Sequence, residues 1–470
     1  MTTQPTAGRG WLVAAVLGGA AAALAPLIHP QRLAADGATG AAKRAAASGA
    51  ATSSATLMGF GEVADVPLAA GVRLGGLSDL TIARGRGPGR WWAITDRGPN
   101  GTVERDGAEL RTLLAPAFTP SLVLLRIDPA PGLAETIAVE RILPLAAATG
   151  KPLTGLPTGG PGHLPVLSGD GSAELAPDPD GVDTEAVVQL ADGTLWIAEE
   201  YGPSLLKVGP DGRAIERHVP VGSGSTTAGV PNRETIPAVY AGRRDNRGFE
   251  ALAATPDGSR LWVLLQSPLD NPGTKAGRKM VKKAGNVRLL GFDPIAGRPA
   301  AEHVYRLGDP ADPDHLTKPT PPDDGKLCAM AALGDQRLLV LEQDDAGLCR
   351  LYAVSLAGAT DTLARPDGDA DAGGEPLEQI RDLPAAGIVP VAKHLVADLT
   401  AARTTMAAQA DGGRPRHGLL KLEGLAILDD RHVLVANDDD FGVHGEGPRR
   451  RRSCIWLIEL DRPLAARAKE

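Results

Sequence analysis

Residues Leu422–Val443 read LEGLAILDDRHVLVANDDDFGV, which is two apolar strand-like segments joined by a turn. The second segment ends in Asn437 and the three aspartates Asp438, Asp439 and Asp440. Self-similarity at this scale indicates a repeat architecture in which each unit contains one hairpin. Four similar phrases occur earlier in the chain: LSDLTIARGRGPGRWWAITDRG (77–98), TEAVVQLADGTLWIAEEYG (184–202), FEALAATPDGSRLWVLLQSPL (249–269) and LCAMAALGDQRLLVLEQDDAG (327–347).

Hairpin geometry predicts where the acidic residues of these phrases meet. In an antiparallel hairpin, the start of the first strand lies across from the end of the second. Glu185 is therefore expected beside Glu199 or Glu200, and Glu423 beside Asn437. If the hairpins are arranged radially, these ends converge, and the sequence predicts one ring rich in carboxylate and amide oxygens.

The composition favours an all-β fold. The 470 residues include 58 Gly and 39 Pro, which suit many turns and argue against long helices. We predict a single β-propeller over residues 57–465, with six blades favoured within a range of five to seven. The sixth blade would combine the N-terminal strand with weakly patterned segments near 140 or 385. The net charge of −8 argues against nucleic acid as a partner.

The N-terminal region predicts export. Residues 1–35 contain the apolar run Trp11–Leu27 after Arg9, which we interpret as a Sec-type signal peptide, with an uncleaved N-terminal anchor as the alternative. Residues 36–56 are rich in Ala, Gly and Ser and predict a linker. We expect a periplasmic or extracellular protein with no membrane contact beyond such an anchor.

Several segments resemble one known family. The phrases DTEAVVQLADGTLWIAEEYGP, NRGFEALAATPDGSRLWVLLQ, WAITDRGPNG and KLEGLAILDDRHVLVANDDDFG are similar to the esterase-like phytase family, over about residues 75–460. Members of this family are bacterial and often exported. The resemblance implies a β-propeller whose repeated Glu and Asp residues carry phosphoesterase chemistry.

The acidic residues also predict a cation site. Calcium prefers oxygen ligands from carboxylates, amides and water, whereas the nine scattered histidines and the absence of an HExxH motif argue against zinc. Single acids at strand starts can also serve only to bond a neighbouring blade, and a purely structural calcium remains an alternative. The predicted calcium ligands are Glu185, Glu199, Glu250, Glu423, Asn437 and Asp438.

Phosphate recognition requires cationic side chains near the acids. Arg97, Arg247 and Lys279 are the candidates, because guanidinium groups suit phosphate oxygens and Lys279 belongs to a basic insertion after a strand end. For both arginines, a salt bridge that neutralises the acidic ring is an equal alternative. For the basic insertion, a solvated loop is the alternative.

The sequence thus predicts a monomeric, exported, calcium-dependent phosphoesterase that acts on a small organic phosphate. A metal-dependent lactonase-like hydrolase and a non-catalytic propeller that binds a ligand or protein are the alternatives. No GxSxG elbow, P-loop or dinucleotide fingerprint is present, which disfavours serine-hydrolase and nucleotide chemistry. The predicted catalytic residues are Glu185, Glu200, Glu250, Glu423 and Asp438.

Overall fold

A computed structural model describes residues 55–464, except 69–70, 106, 130–132, 160–163, 226–227, 272–280, 282–284, 309–324, 366–373, 444 and 446. The predicted leader (1–35) and nearly all of the predicted linker (36–56) lie outside the described residues, as does Lys279. Their assignments stay predictions. The first described element is a strand that begins at Ala55.

Most of the chain forms antiparallel four-stranded sheets, which we call blades 1 to 5. The strands of each blade are given from the innermost outward. Blade 1 consists of β2 (Leu77–Ile82), β3 (Arg90–Thr95), β6 (Ser121–Arg126) and β7 (Thr136–Pro144), and blade 2 of β9 (Thr184–Gln189), β10 (Leu195–Glu199), β11 (Ser204–Val208) and β12 (Ala214–Pro220). Blade 3 consists of β14 (Phe249–Ala254), β15 (Leu261–Leu265), β16 (Asn286–Asp293) and β17 (Arg298–Arg306), blade 4 of β18 (Gly325–Gly334), β19 (Arg337–Asp344), β20 (Cys349–Ser355) and β21 (Ala392–Asp398), and blade 5 of β22 (Lys421–Ile427), β23 (His432–Asp438), β24 (Cys454–Leu460) and β1 (Ala55–Val63).

The five innermost strands contact one another in a closed ring, in the order β2, β9, β14, β18, β22 and back to β2. The all-β prediction and the propeller prediction are thereby confirmed. The favoured count of six blades is not confirmed, because the described residues form five such sheets. The strands set aside for a sixth blade complete two others: β1 is the outer strand of blade 5 and β7 that of blade 1.

Strand β1 joins the two ends of the described chain. It pairs antiparallel with β24, from Ala55 opposite Leu460 to Glu62 opposite Cys454. It also forms a short parallel pair with β7, which merges blades 5 and 1 into one eight-stranded sheet. Blade 5 is therefore built from both ends of the described chain, which covers the edge of β24.

The hydrophobic core lies between adjacent blades. Trp196 of blade 2 packs against Phe292 of blade 3 with ring centroids 5.7 Å apart, and both side chains are fully buried. Blade 1 is further joined to both neighbours by the buried Asp79 carboxylate. It accepts hydrogen bonds from the backbone N–H groups of Val187 (3.0 Å) and Leu425 (3.5 Å).

Smaller elements are added around the blades. A three-stranded sheet of β4 (Asn100–Arg105), β5 (Ala108–Leu113) and β8 (Val166–Ser168) follows β3, and β13 (Asn232–Ile236) pairs with β12. The helix α1 (Thr400–Ala410) precedes blade 5, and short 3₁₀ helices span Ala238–Gly242, Leu377–Gln379, Asp440–Gly442 and Gly447–Arg449. Within the described part of the chain, no helix is long and apolar enough to cross a membrane.

Candidate functional site

A β-bulge recurs near the start of every innermost strand, at the end of the propeller that we call the mouth. In each blade the pairing with the second strand shifts by one residue and leaves one residue of the innermost strand without a partner. A bulge turns its extra residue away from the regular alternation of side chains. The five bulged residues are Ser78, Glu185, Glu250, Cys328 and Glu423.

A second set of side chains lies next to the bulge, each one residue after the second-strand residue that pairs just before the bulge. Two members bond the bulged residue of their own blade: Gln266 donates to Glu250 (2.6 Å) and Gln343 donates to the Cys328 thiol (2.9 Å). The mouth therefore carries two polar positions in each blade. This second set consists of Asp96, Glu200, Gln266, Gln343 and Asp438.

The mouth brings carboxylates of blades 1, 2 and 3 together in two groups. Oxygen atoms of Glu185, Glu200 and Glu250 all lie within 4.8 Å of one another, and we call these residues the glutamate group. Oxygens of Asp96, Asp183 and Glu185 satisfy the same limit and form the aspartate group. All five residues are buried, and Glu185 belongs to both groups.

Burial and mutual repulsion change the acidity of these residues. Burial, followed by the charge of Glu250, raises the pKa of Glu185 well above its usual value. Burial, followed by the charge of Glu200, raises the pKa of Glu250 to about 8, although Gln266 and Arg247 oppose this rise. Without a cation, a bound proton relieves the repulsion between these carboxylates. A divalent cation between them would relieve the same repulsion.

The glutamate group has the donor atoms that calcium requires. Glu200 and Glu250 are about 1% and 2% exposed. The Oε1 atom of Glu200 and the Oε2 atom of Glu250 are buried and have no hydrogen-bond partner among the described residues. Unpaired buried oxygens are rare in native proteins, and hard oxygen ligands suit calcium. The residues present therefore fit a calcium ion.

Glu423 and Asp438 of blade 5 belong to neither group. Burial, followed by the charge of Asp438, raises the pKa of Glu423, while Lys421 opposes this rise. The Asp438 carboxylate accepts the backbone N–H of Asp440 (2.7 Å) and pairs with the Lys421 ammonium (3.1 Å). These two acids form a separate pair on the blade between blades 4 and 1.

Two predicted calcium ligands are engaged elsewhere. The Glu199 carboxylate accepts hydrogen bonds from the backbone N–H groups of Asp183, Tyr201 and Gly202 and from the Ser204 hydroxyl. The Asn437 side chain accepts from the Cys454 N–H (2.7 Å) and donates to the Arg452 carbonyl (3.2 Å).

Each of the two residues pairs with the innermost-strand residue that immediately precedes the bulge of its blade. Successive side chains of a strand alternate in direction. The residue that follows each of them therefore faces the mouth, while Glu199 and Asn437 themselves bond the third strand of their own blade. The structure does not support the prediction that they bind calcium.

Arg97 lies among the carboxylates of the mouth. Its Nη1 atom is 2.7 Å from Asp183 Oδ2, its Nε atom is 3.3 Å from Asp96 Oδ1, and its Nη2 atom is 3.2 Å from Glu200 Oε2. The guanidinium group lies 5.1 Å from the ring centre of Tyr201. Of the two alternatives that the sequence leaves open for Arg97, these contacts favour the counter-ion for the acidic ring.

Arg247 is placed differently. It is half-buried, its charge acts on Glu250, and its buried Nη1 atom has no hydrogen-bond partner among the described residues. A small polar pocket, open to solvent on one side, is lined by Arg97, Arg111, Tyr201 and Asn246. Arg247 thus supplies a cationic side chain with an unused hydrogen-bond donor near Glu250.

The sequence predictions missed Asp96 and Asp183. Asp96 occupies the same repeat position as Glu200 and Asp438, so an alignment of the repeats by position would have identified it. Asp183 lies before the first paired residue of β9, and its backbone carbonyl accepts the Glu200 N–H. No repeat signal marks it, because the residues that make the same backbone contact in blades 1 and 3 are glycines, Gly76 and Gly248.

Fold and site together define a β-propeller protein with a buried carboxylate cluster at one mouth. The chain belongs to the Phytase-like family, described as esterase-like activity of phytase, whose family profile matches residues 72–441. The predicted family is thereby confirmed.

The chain is also similar to a protein of Arthroderma benhamiae described as an uncharacterized secreted protein. The two are 29% identical over 246 residues, which is 46% of each chain, so the match spans about half the length of that relative. The description of this relative as secreted is consistent with export.

Two solved structures have low similarity to the chain. The PQQ-bound form of aldose sugar dehydrogenase from Streptomyces coelicolor is 11% identical, with 88% of this chain and 97% of that chain covered and a TM-score of 0.32. A luciferin-regenerating enzyme is 10% identical, with 82% and 77% covered and a TM-score of 0.32. Similarity at this level carries no inference about activity.

Proposed function

We propose that the protein is an exported, calcium-dependent phosphoesterase that hydrolyses a small organic phosphate at the mouth of the propeller. The observation that carries this proposal is the glutamate group, with its two unpaired and buried carboxylate oxygens. Membership of the Phytase-like family and the secreted relative support the hydrolytic activity and the export.

Each residue of the mouth has a proposed role. Glu185, Glu200 and Glu250 hold the cation and orient the attacking water. When bound, a divalent cation acts as a Lewis acid toward a phosphoryl oxygen and lowers the pKa of its bound water. Arg247 donates to the phosphoryl oxygens through its unused nitrogen, where charge-assisted hydrogen bonds contribute most as charge develops.

The acids of blade 5 complete the proposed chemistry. Burial and the charge of Asp438 raise the pKa of Glu423, and this carboxyl group is the proposed proton donor to the leaving-group oxygen. Asp438 is the neighbouring acid of this pair, and it is held by the Lys421 ammonium. The pocket lined by Arg111, Tyr201 and Asn246 offers space for the organic part of the substrate, and Lys279 remains a predicted phosphate ligand.

The test measures hydrolysis of a phosphomonoester, a phosphodiester and a lactone by the purified protein with calcium, manganese or magnesium. We expect calcium-dependent turnover of a phosphoester. Glu250→Gln should lower calcium affinity and turnover together, whereas Arg247→Ala should keep calcium affinity and lower kcat/KM by at least about tenfold.

Two surface substitutions serve as matched controls. Glu104→Gln and Arg126→Ala remove the same groups from exposed positions of β4 and β6, and both variants should behave as wild type. If no substrate is hydrolysed with any of the three cations, the proposal is wrong. Turnover of the lactone alone would favour the lactonase-like alternative.

A further inference from the structure

The two carboxylate groups of the mouth are arranged as two adjacent cation positions. The glutamate group and the aspartate group share Glu185, and within each group the oxygens lie within 4.8 Å of one another. Hydrolases with two metal ions use such a bridging carboxylate between cations about 3.5–4 Å apart. The arrangement of acids alone would therefore fit two metal ions.

The aspartate group, however, already contacts a cation of the chain itself. Arg97 is 4% exposed and reaches Asp183 and Asp96 with separate nitrogens, at 2.7 Å and 3.3 Å. Its Nη2 atom donates to Asn246 Oδ1 (2.6 Å), and Asn246 has a positive φ of 53°. A non-glycine residue in this conformation is uncommon, and here it turns its amide toward the guanidinium group.

The glutamate group has no comparable partner among the described residues. Arg97 reaches Glu200 only through Oε2 (3.2 Å) and lies 4.0 Å from Glu185. Glu250 accepts one hydrogen bond, from the neutral Gln266 side chain. Glu200 Oε1 and Glu250 Oε2 have no hydrogen-bond partner among the described residues. Both Asp183 oxygens also lack a hydrogen bond, but Asp183 Oδ2 lies 2.7 Å from the Arg97 Nη1 atom and is paired with its charge.

From these contacts we infer that the mouth holds one divalent cation, between Glu185, Glu200 and Glu250, and that the Arg97 guanidinium stands where a second cation would bind. This inference rests on the cation of the proposed function but concerns binding rather than turnover. A fixed guanidinium beside one metal ion keeps two positive charges at the mouth. It also makes the number of bound cations depend on one side chain.

The first experiment counts bound calcium ions by equilibrium dialysis and native mass spectrometry. Wild type should bind one calcium ion at the mouth, and Arg97→Ala should bind two, because its loss exposes Asp96, Asp183 and Glu185 to a second ion. The surface variant Arg126→Ala should still bind one. Two ions in wild type, or one ion in a folded Arg97→Ala variant, would overturn the inference.

If Arg97→Ala does not fold, a second pair of variants tests which carboxylate group binds the cation. Asp183→Asn changes a carboxylate on the Arg97 side, and Glu250→Gln changes one on the proposed metal side. Calcium affinity should fall by at least about tenfold in Glu250→Gln and by much less in Asp183→Asn. Equal losses would contradict the assignment. Binding of one calcium ion without hydrolysis would refute the proposed function and leave this inference intact.

Discussion

At the scale of single residues, the mouth is governed by the cost of burying like charges. Burial and the charge of Glu200 raise the pKa of Glu250 to about 8, so without a cation this carboxyl carries a proton at neutral pH. Arg97 pairs with Asp183, Asp96 and one oxygen of Glu200, whereas Glu250 accepts a hydrogen bond only from the neutral Gln266 side chain among the described residues. Proton and metal ion therefore compete for the same oxygens.

This competition predicts how stability depends on pH. The folded-state pKa of Glu250 is about 8, above its unfolded value near 4.5, so its contribution to stability is complete below about pH 4.5 and is lost as the pH rises through 8. In a chelator, the free energy of unfolding of wild type should fall over this range, by at most about 1.4 kcal/mol per pH unit for one proton.

The measurement is denaturant unfolding at several pH values with chelator present. Glu250→Gln cannot ionise and should show a smaller fall, whereas Glu104→Gln should follow wild type. Added calcium should remove most of the fall in wild type, because the cation replaces the proton. A fall of equal size in wild type and Glu250→Gln would show that Glu250 does not titrate in this range.

At the scale of elements, the contact between blades 2 and 3 sets the geometry of the site. Gly248 immediately precedes β14 and packs against the backbone of the residue that follows β10. A Cβ atom on Gly248 would lie 2.1 Å from the carbonyl oxygen of Glu200. Only glycine permits this approach, and it keeps Glu200 and Glu250 close enough to share a cation.

Gly248→Ala should therefore push the Glu200 backbone away and weaken calcium binding, by roughly 10–100-fold as for other residues that orient metal ligands. The matched control is Gly202→Ala. Gly202 also lies near the mouth, and a Cβ atom added there would meet no atom within 4 Å, while its N–H bond to Glu199 would be kept. Calorimetric titration with calcium measures both variants. Equal affinities would show that this contact does not position Glu200.

At the scale of the whole molecule, the propeller is closed by a strand from the opposite end of the described chain. β1 supplies the outer strand of blade 5, and its pairing with β24 and β7 links that blade to blade 1. Without β1, β24 would present an unpaired edge, which is a template for aggregation.

A chain that begins after residue 63 should therefore melt at a lower temperature than wild type and scatter more light on heating. A chain that begins at residue 55 keeps β1 and serves as the control, with a melting temperature close to that of wild type. Thermal unfolding with light scattering compares the three proteins. Equal melting temperatures for both truncated chains would mean that β1 contributes little to closure.

Calcium should stabilise the whole propeller, because its proposed ligands come from two blades. Binding to the folded state at one hundred times the dissociation constant adds about 2.7 kcal/mol to the free energy of unfolding. Calcium should raise the melting temperature of wild type and chelator should lower it, whereas Glu250→Gln should respond weakly. A wild-type melting temperature that changes with neither calcium nor chelator would contradict the presence of a cation site.

The sequence alone determined the repeated hairpins and the end of each hairpin that carries acids, because strand periodicity and turn residues are local properties. It therefore predicted the propeller, the shared mouth and the positions of Glu185, Glu200 and Glu250. Only the tertiary structure decided which acids meet. The bulges and the alternation of side chains turn Glu200 inward and Glu199 toward Ser204, and the ring of blades brings Arg97 from blade 1 against Asp183 of blade 2. Such contacts join residues far apart in the chain, so no local pattern specifies them.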